Sequence, residues 1–116
     1  MLDTATTLAQ TLRDPALLAT RAYVAGAWVD ADDGGTLPVT NPARGDVICH
    51  VPNLGRAETA RAIAAAAAAM KDWAARPAKE RASILRRWFD LLMANQEDHG
   101  RILTAEMGKP LAEAKG

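Results

Sequence analysis

The chain has 116 residues, 49% hydrophobic and 24% charged, which suits one packed domain of ordinary size and excludes a disordered chain. Fourteen basic residues balance fourteen acidic ones, so no net field draws in nucleic acid or an anionic membrane, and neither is expected as a partner. One cysteine and two histidines exclude a disulfide framework and a four-ligand structural zinc.

The opening "MLDTATTLAQTLRD" carries an acid at Asp3 and lacks both the basic stretch and the continuous apolar stretch of a secretory signal. The longest apolar run, residues 62–70, is mostly alanine and falls far short of the roughly 20 residues that span a bilayer, so a cytoplasmic location is expected. Residues 4–18 read as a short, weakly amphipathic helix broken by Pro15, with Leu8, Leu12 and Leu17 or Leu18 as apolar anchors. This is the N-terminal helical arm of the expected organisation, residues 1–20.

Next comes "AYVAGAWVDADDGGTLPVTNPARGDVICHVP". Tyr23, Val24, Trp28 and Val29 flank Gly26, which predicts a β-hairpin, and "DADDGG" separates it from further extended chain. Residues 41–45, Asn-Pro-Ala-Arg-Gly, have the chemistry of a tight reversal between "LPVT" and "VICHV". Strands are thus expected over 21–52. After "VPN" the period changes from two to 3.6, and helices are expected over 56–116.

In the first of these, Ile63, Ala66 or Ala67, Met70 and Trp73 recur at helical spacing, with alanine between the large anchors, so a close-packing face is predicted. Pro77 starts a second helix, whose stripe is Ile84 or Leu85, Trp88 and Leu91 or Leu92, ending near Asn95. A third, over about 97–107, turns Ile102 and Leu103 inward and meets Gly108 where a left-handed cap belongs. Pro110 opens a fourth, with Leu111 and Ala114 as its first apolar positions.

Candidate chemistry is sparse. Gly108-Lys109 resembles the end of a phosphate-binding loop, but that loop needs Gly where Leu103 stands and Ser or Thr where Pro110 stands. The glycines at 26, 34, 35 and 45 fall in turns and never form G-x-G-x-x-G, so no cofactor-binding residue is assigned. Lys79, Arg86 and Arg87 in "KERASILRR" read as a solvated helix face. Cys49 lies in the apolar run "DVICHVP" and reads as a buried, inert thiol. No catalytic residue is assigned.

The ordered series of segments resembles the NAD(P)-dependent aldehyde dehydrogenase family. "YVAGAWVDADDGGTLPVTNPARGDVICHVPNLG" is similar to that family's "ING-W" and "V-NPA-G-VI--V" strands. "AAAAAMKDWAARPAKERASILRRWFDLLMANQEDHGRILTAEMGKPLAEAKG" is similar to its helical stretch with "W", "ER--IL" and "E-GKP--EA-G". The likeness covers residues 14–116 and is nearest the succinate-semialdehyde dehydrogenase branch, although Ala25-Gly26-Ala27 stands where Asn-Gly-Glu is common and Pro77 where Thr or Ser caps a helix.

The resemblance implies an α/β fold: the N-terminal portion of an aldehyde dehydrogenase domain, 21–116, whose strands and helices pack on a Rossmann-type cofactor domain mostly outside this chain. It also implies an N-terminal fragment, inactive alone, of an enzyme that oxidises succinate semialdehyde with NAD or NADP through a cysteine thiohemiacetal and thioester. The catalytic cysteine, the general-base glutamate and the cofactor site belong to the part outside this chain, and a homodimer or homotetramer is implied for the whole. A dehydrogenase for another short aldehyde such as glutarate semialdehyde is the alternative within the class, and a non-catalytic helical interaction module the alternative outside it. Some family members hold a monovalent cation through the carbonyl before Asn-Pro and an acid before Gly-Lys-Pro, which here match Thr40 and Glu106.

Overall fold

The computed structural model describes residues 7–116, so the first positions of the expected leading helix lie outside the described residues. The chain divides into two compact units. One comprises the described residues up to Thr20 with Pro38–His50 and Ala94–Gly116; the other comprises Arg21–Leu37 and Val51–Met93.

Helix α1, Leu8–Thr11, is one turn long and is capped by Thr7, whose side chain accepts from the Gln10 N–H while Gln10 returns a bond to the Thr7 N–H. The helix ends earlier than the proline predicts. Leu12 is already extended, and the next two backbone N–H groups, of Arg13 and Asp14, donate to the carboxylate of Asp98 instead of continuing the helix. Pro15 then begins a separate 3-10 turn, Pro15–Leu17, capped by Asp14.

Strands β1, Ala22–Val24, and β2, Ala27–Val29, form the predicted antiparallel hairpin, in the register Ala22↔Val29, Tyr23↔Trp28 and Val24↔Ala27. Ala25 and Gly26 lie between them at φ 52° and 82°, the paired positive dihedrals that match hairpin twist in a two-residue turn. Tyr23 and Trp28 face each other with ring centroids 5.0 Å apart, a tilted aromatic pair across the strands. At the open end a fork from Arg21 to Asp30, at 2.8 and 2.9 Å, closes the hairpin.

Strands β3, Thr36–Thr40, and β4, Val47–Pro52, pair in a second two-stranded sheet around the predicted turn. The Asn41 side-chain oxygen accepts from the N–H of Ala43 at 2.9 Å, the local bond that makes Asn a turn former.

Helix α2, Arg56–Ala75, starts at Gly55. The carboxylate of Glu58 closes that end, accepting from the Gly55 N–H at 3.0 Å. Its alanine face, with Ala62, Ala65, Ala66 and Ala69, lines a cleft of about 200 Å³ with Tyr23 and Val24. Ala62 and Ala65 are half-buried while Ala66 and Ala69 stay exposed, so this face borders the hairpin across a cleft rather than packing closely on it as the alanine tract predicts. The large anchors point elsewhere: Ile63 and Met70 are exposed, and only Trp73 is half-buried.

Helix α3, Ala78–Ala94, follows Pro77, whose carbonyl accepts from the N–H groups of Glu80 and Arg81. Its predicted stripe is open rather than packed, since Leu85, Trp88, Leu91 and Leu92 are all exposed and only Ile84 is half-buried. Helix α4, Gln96–Met107, ends at Gly108 with φ 77°, the predicted left-handed cap. Ile102 is half-buried, while Leu103, predicted to turn inward, is 37% exposed. The short α5, Leu111–Ala114, packs back on α4, where Gly100 leaves room for Leu111 and Lys115.

Among the described residues the only buried hydrophobic side chains are Leu12 and Ala31. An α3 surface bearing exposed Trp88, Phe89 and Leu91 is an unusually apolar exterior. No described helix is long and apolar enough to cross a membrane.

Candidate functional site

Thr40 is the last residue of β3 and Glu106 lies in the last turn of α4, two residues before its cap. Both belong to the same compact unit and both are exposed. Two observations bring their neighbourhoods together. A Cβ on Gly108 would meet the Pro42 ring at 3.3 Å, so the end of α4 lies against the Asn-Pro turn. Cys49, on β4, also feels the charge of Glu106.

The turn itself is rigidly built. The Asn41 N–H donates to the Asp46 carbonyl at 2.9 Å, and the guanidinium of Arg44 forks onto the Asp46 carboxylate at 2.8 and 3.1 Å. That bond, with the mutual attraction behind it, raises the pKa of Arg44 and lowers that of Asp46. Beside the turn opens a cleft of about 580 Å³, lined by Asn41, Arg44, Asp46, Arg101, Thr104 and Gly108 among others. The Thr104 hydroxyl is buried with no hydrogen-bond partner among the described residues.

The donors matched to a cation are hard oxygens, a backbone carbonyl and a carboxylate, and that set suits an alkali-metal ion rather than a thiol- or imidazole-loving metal. Among the described residues no group of three or more His, Cys, Asp or Glu side chains could hold a metal ion.

Cys49 is half-buried, and its thiol pKa is raised, first by burial and then by the negative charge of Glu106. Both effects oppose the thiolate that a nucleophile requires, although the thiol is half-buried rather than buried as the sequence predicts. The basic face of α3 is also as read from sequence. Arg86 pairs with Asp90 at 3.2 Å, with both side chains mostly exposed, and lies 5.0 Å over the Phe89 ring. Arg87, however, borders the apolar surface, lining a cleft of about 620 Å³ with Ile84, Trp88, Asp90 and Leu91.

The residues that sequence reasoning passed over are the carboxylates that tie distant segments together. Asp98 accepts from Arg13 and Asp14, and Glu58 accepts from Asp32. Each carboxylate stands in the first turn of its helix, and its partner in the chain lies outside any local pattern.

The sequence profile described as "Aldehyde dehydrogenase family" matches residues 28–116. The chain belongs to the aldehyde dehydrogenase family. It is 59% identical over 105 residues to the glutarate-semialdehyde dehydrogenase of Pseudomonas aeruginosa, covering 90% of this chain and 22% of that protein. To the NADP(+) succinate-semialdehyde dehydrogenase of Escherichia coli it is 51% identical, with the same coverage of 90% and 22%. The crystal structure of succinate-semialdehyde dehydrogenase from Burkholderia pseudomallei superposes with a TM-score of 0.88 at 56% identity, over 91% of this chain and 22% of that one.

The expected fold class is therefore met: two small sheets followed by helices, matching part of the aldehyde dehydrogenase fold. The chain spans about a fifth (22%) of the length of these relatives.

Proposed function

We propose that the full-length protein is an NAD(P)-dependent dehydrogenase of short semialdehydes that end in a carboxylate, converting succinate semialdehyde to succinate. Glutarate semialdehyde is the competing substrate, one methylene longer. The observation that carries the reading is the high identity to both a glutarate- and a succinate-semialdehyde dehydrogenase, 59% and 51%. In this reading the nucleophilic cysteine, the base and the NAD or NADP site lie outside the 116 residues, and the whole enzyme is a cytoplasmic homodimer or homotetramer.

This segment serves as scaffold. The exposed faces of α2 and α3, with Ile63, Met70, Leu85, Trp88 and Leu91, are the surfaces that the remainder of the domain covers. Burying apolar area of that kind is the main favourable term in folding.

Initial-rate assays of the full-length protein with the two semialdehydes, each with NAD+ and NADP+, test the substrate. The reading expects the higher kcat/KM with succinate semialdehyde, with selectivity of about 10- to 200-fold for one methylene, and a preference for glutarate semialdehyde would assign the longer substrate instead. Equal or higher kcat/KM for aldehydes without a carboxylate would overturn it.

The Thr40 carbonyl and the Glu106 carboxylate are proposed as two oxygens of a monovalent-cation site, supported by the contact between the Asn-Pro turn and the end of α4. Potassium and sodium titrations of the full-length enzyme, wild type and Glu106→Ala, test this. Ion dependence that Glu106→Ala weakens is expected, and no ion dependence together with no effect of the substitution would remove the site.

A further inference from the structure

Among the described residues, the hydrogen bonds that tie residues 7–18 to the rest of their unit come from Arg13 and Asp14 alone, and the apolar contact comes from buried Leu12 with half-buried Leu8, Leu17 and Leu18. Asp98, in the first turn of α4, is 4% exposed and places its two carboxylate oxygens on consecutive backbone N–H groups, Oδ1 on Arg13 at 3.0 Å and Oδ2 on Asp14 at 2.9 Å. The Arg13 side chain adds a third bond, from Nη2 to the Ala94 carbonyl at 3.0 Å. Leu12, immediately before the clasped amides, is one of two buried hydrophobic side chains among the described residues. The segment's other hydrogen bonds among the described residues are internal, from the Thr7 cap to the 3-10 turn.

We propose that residues 7–18 are a strap whose latch is the Asp98 carboxylate, and that the strap opens as a unit while α4, α5 and the β3–β4 turn stay folded.

Three features argue for a latch. The segment has a cap at each of its two turns, so each turn keeps local bonds of its own when the clasp opens. The clasp is bidentate and charged, the strongest kind of hydrogen bonding to a backbone, and it sits where a helix N-terminus favours a negative charge. Its acceptor is one side chain, so one substitution addresses both amides. Asparagine keeps the size of Asp98 but replaces one acceptor oxygen by a donor NH2, which then faces a backbone N–H. The clasp loses one bond and gains a donor-donor clash.

Hydrogen-deuterium exchange on the full-length protein, wild type and Asp98→Asn, tests the proposal. Amides of residues 7–18 are expected to exchange about 10-fold faster or more in the variant, as befits loss of a charge-assisted bond. Amides of α5 and of α4 beyond its first turn should keep their wild-type rates. Leu12→Ala provides a second route, removing the apolar anchor while leaving the carboxylate in place, and should speed the same residues. If Asp98→Asn does not fold, Leu12→Ala decides. Unchanged exchange over 7–18, or faster exchange spread through α4 and α5, would overturn the strap.

Discussion

The carboxylate of Glu58 accepts from the backbone N–H of Asp32, 26 residues earlier, at 3.1 Å. Its other oxygen holds the Gly55 N–H at the start of α2, so one side chain fastens the "DADDGG" segment to the helix it precedes. Arg61 completes the arrangement with a 2.6 Å ion pair to the Asp32 carboxylate. Glu58→Gln is therefore expected to lower the Tm of the full-length protein, because one of the two amides loses its acceptor. An unchanged Tm in a calorimetric scan would show that the two bonds add nothing.

The same residue predicts a pH effect. The pKa of Glu58 is lowered by its own backbone N–H, then by that of Asp32, with smaller help from Gly55 and Arg61 and with desolvation opposing. A carboxyl depressed in the folded state stabilises above its unfolded pKa of about 4.3, and that contribution disappears as pH falls through the lower folded value. Melting the wild type and Glu58→Gln between pH 7 and pH 3 should show a shallower acid loss in the variant. Parallel curves would contradict the assignment.

Ala25 sits at φ 52°, where an L-residue pays roughly 1–2 kcal/mol for the left-handed conformation. Asparagine tolerates that region and is favoured at this place in a two-residue hairpin turn. Ala25→Asn should stabilise by about 0.5–1 kcal/mol. Chemical denaturation measures it, and a destabilised variant would refute the strain argument.

Gly45 and Gly108 form a matched pair. Both have positive φ, 79° and 77°, but a Cβ at Gly45 meets nothing within 4 Å while one at Gly108 meets Pro42 at 3.3 Å. Gly45→Ala should cost about 1 kcal/mol, the left-handed penalty less the entropy removed from the unfolded chain. Gly108→Ala should cost more, since the Asn-Pro turn must also give way. Equal losses would mean that the turn moves freely.

Cys49 carries a raised thiol pKa from burial and from Glu106, so it should react slowly with iodoacetamide at neutral pH, and Glu106→Gln should speed the reaction. Cys49→Ser should leave kcat/KM of the full-length enzyme within about 2-fold, as for a residue outside the reacting site. Loss of activity would make Cys49 a functional thiol after all.

Much of the fold was legible because its signals are local. Gly26 between two β-rich triplets, Asn-Pro before Gly45, Pro77 and Pro110 at helix starts, and Gly108 at a helix end each act within a few residues. The period of 3.6 marked which residues of α2 and α3 are apolar, but not what lies over them. Ile63 and Trp88 read as core and stand exposed, whereas Ala62 and Ala65 are half-buried and line a cleft with Tyr23 and Val24 of the hairpin. The clasp of Asp98 on Arg13 and Asp14 joins positions 85 and 84 residues apart, so no window of sequence contains both partners. It also explains why α1 stops at Leu12 rather than at Pro15. The match of Thr40 and Glu106 to a cation site rests on family likeness, since neither residue type is informative alone.

The most direct test follows NAD(P)H formation at 340 nm from succinate or glutarate semialdehyde, with the full-length protein and the 116-residue chain assayed side by side. Turnover by the full-length protein and none by the chain is the result expected if these residues are scaffold. Turnover by the 116 residues themselves, or none by the full-length protein with either semialdehyde and either cofactor, would contradict it.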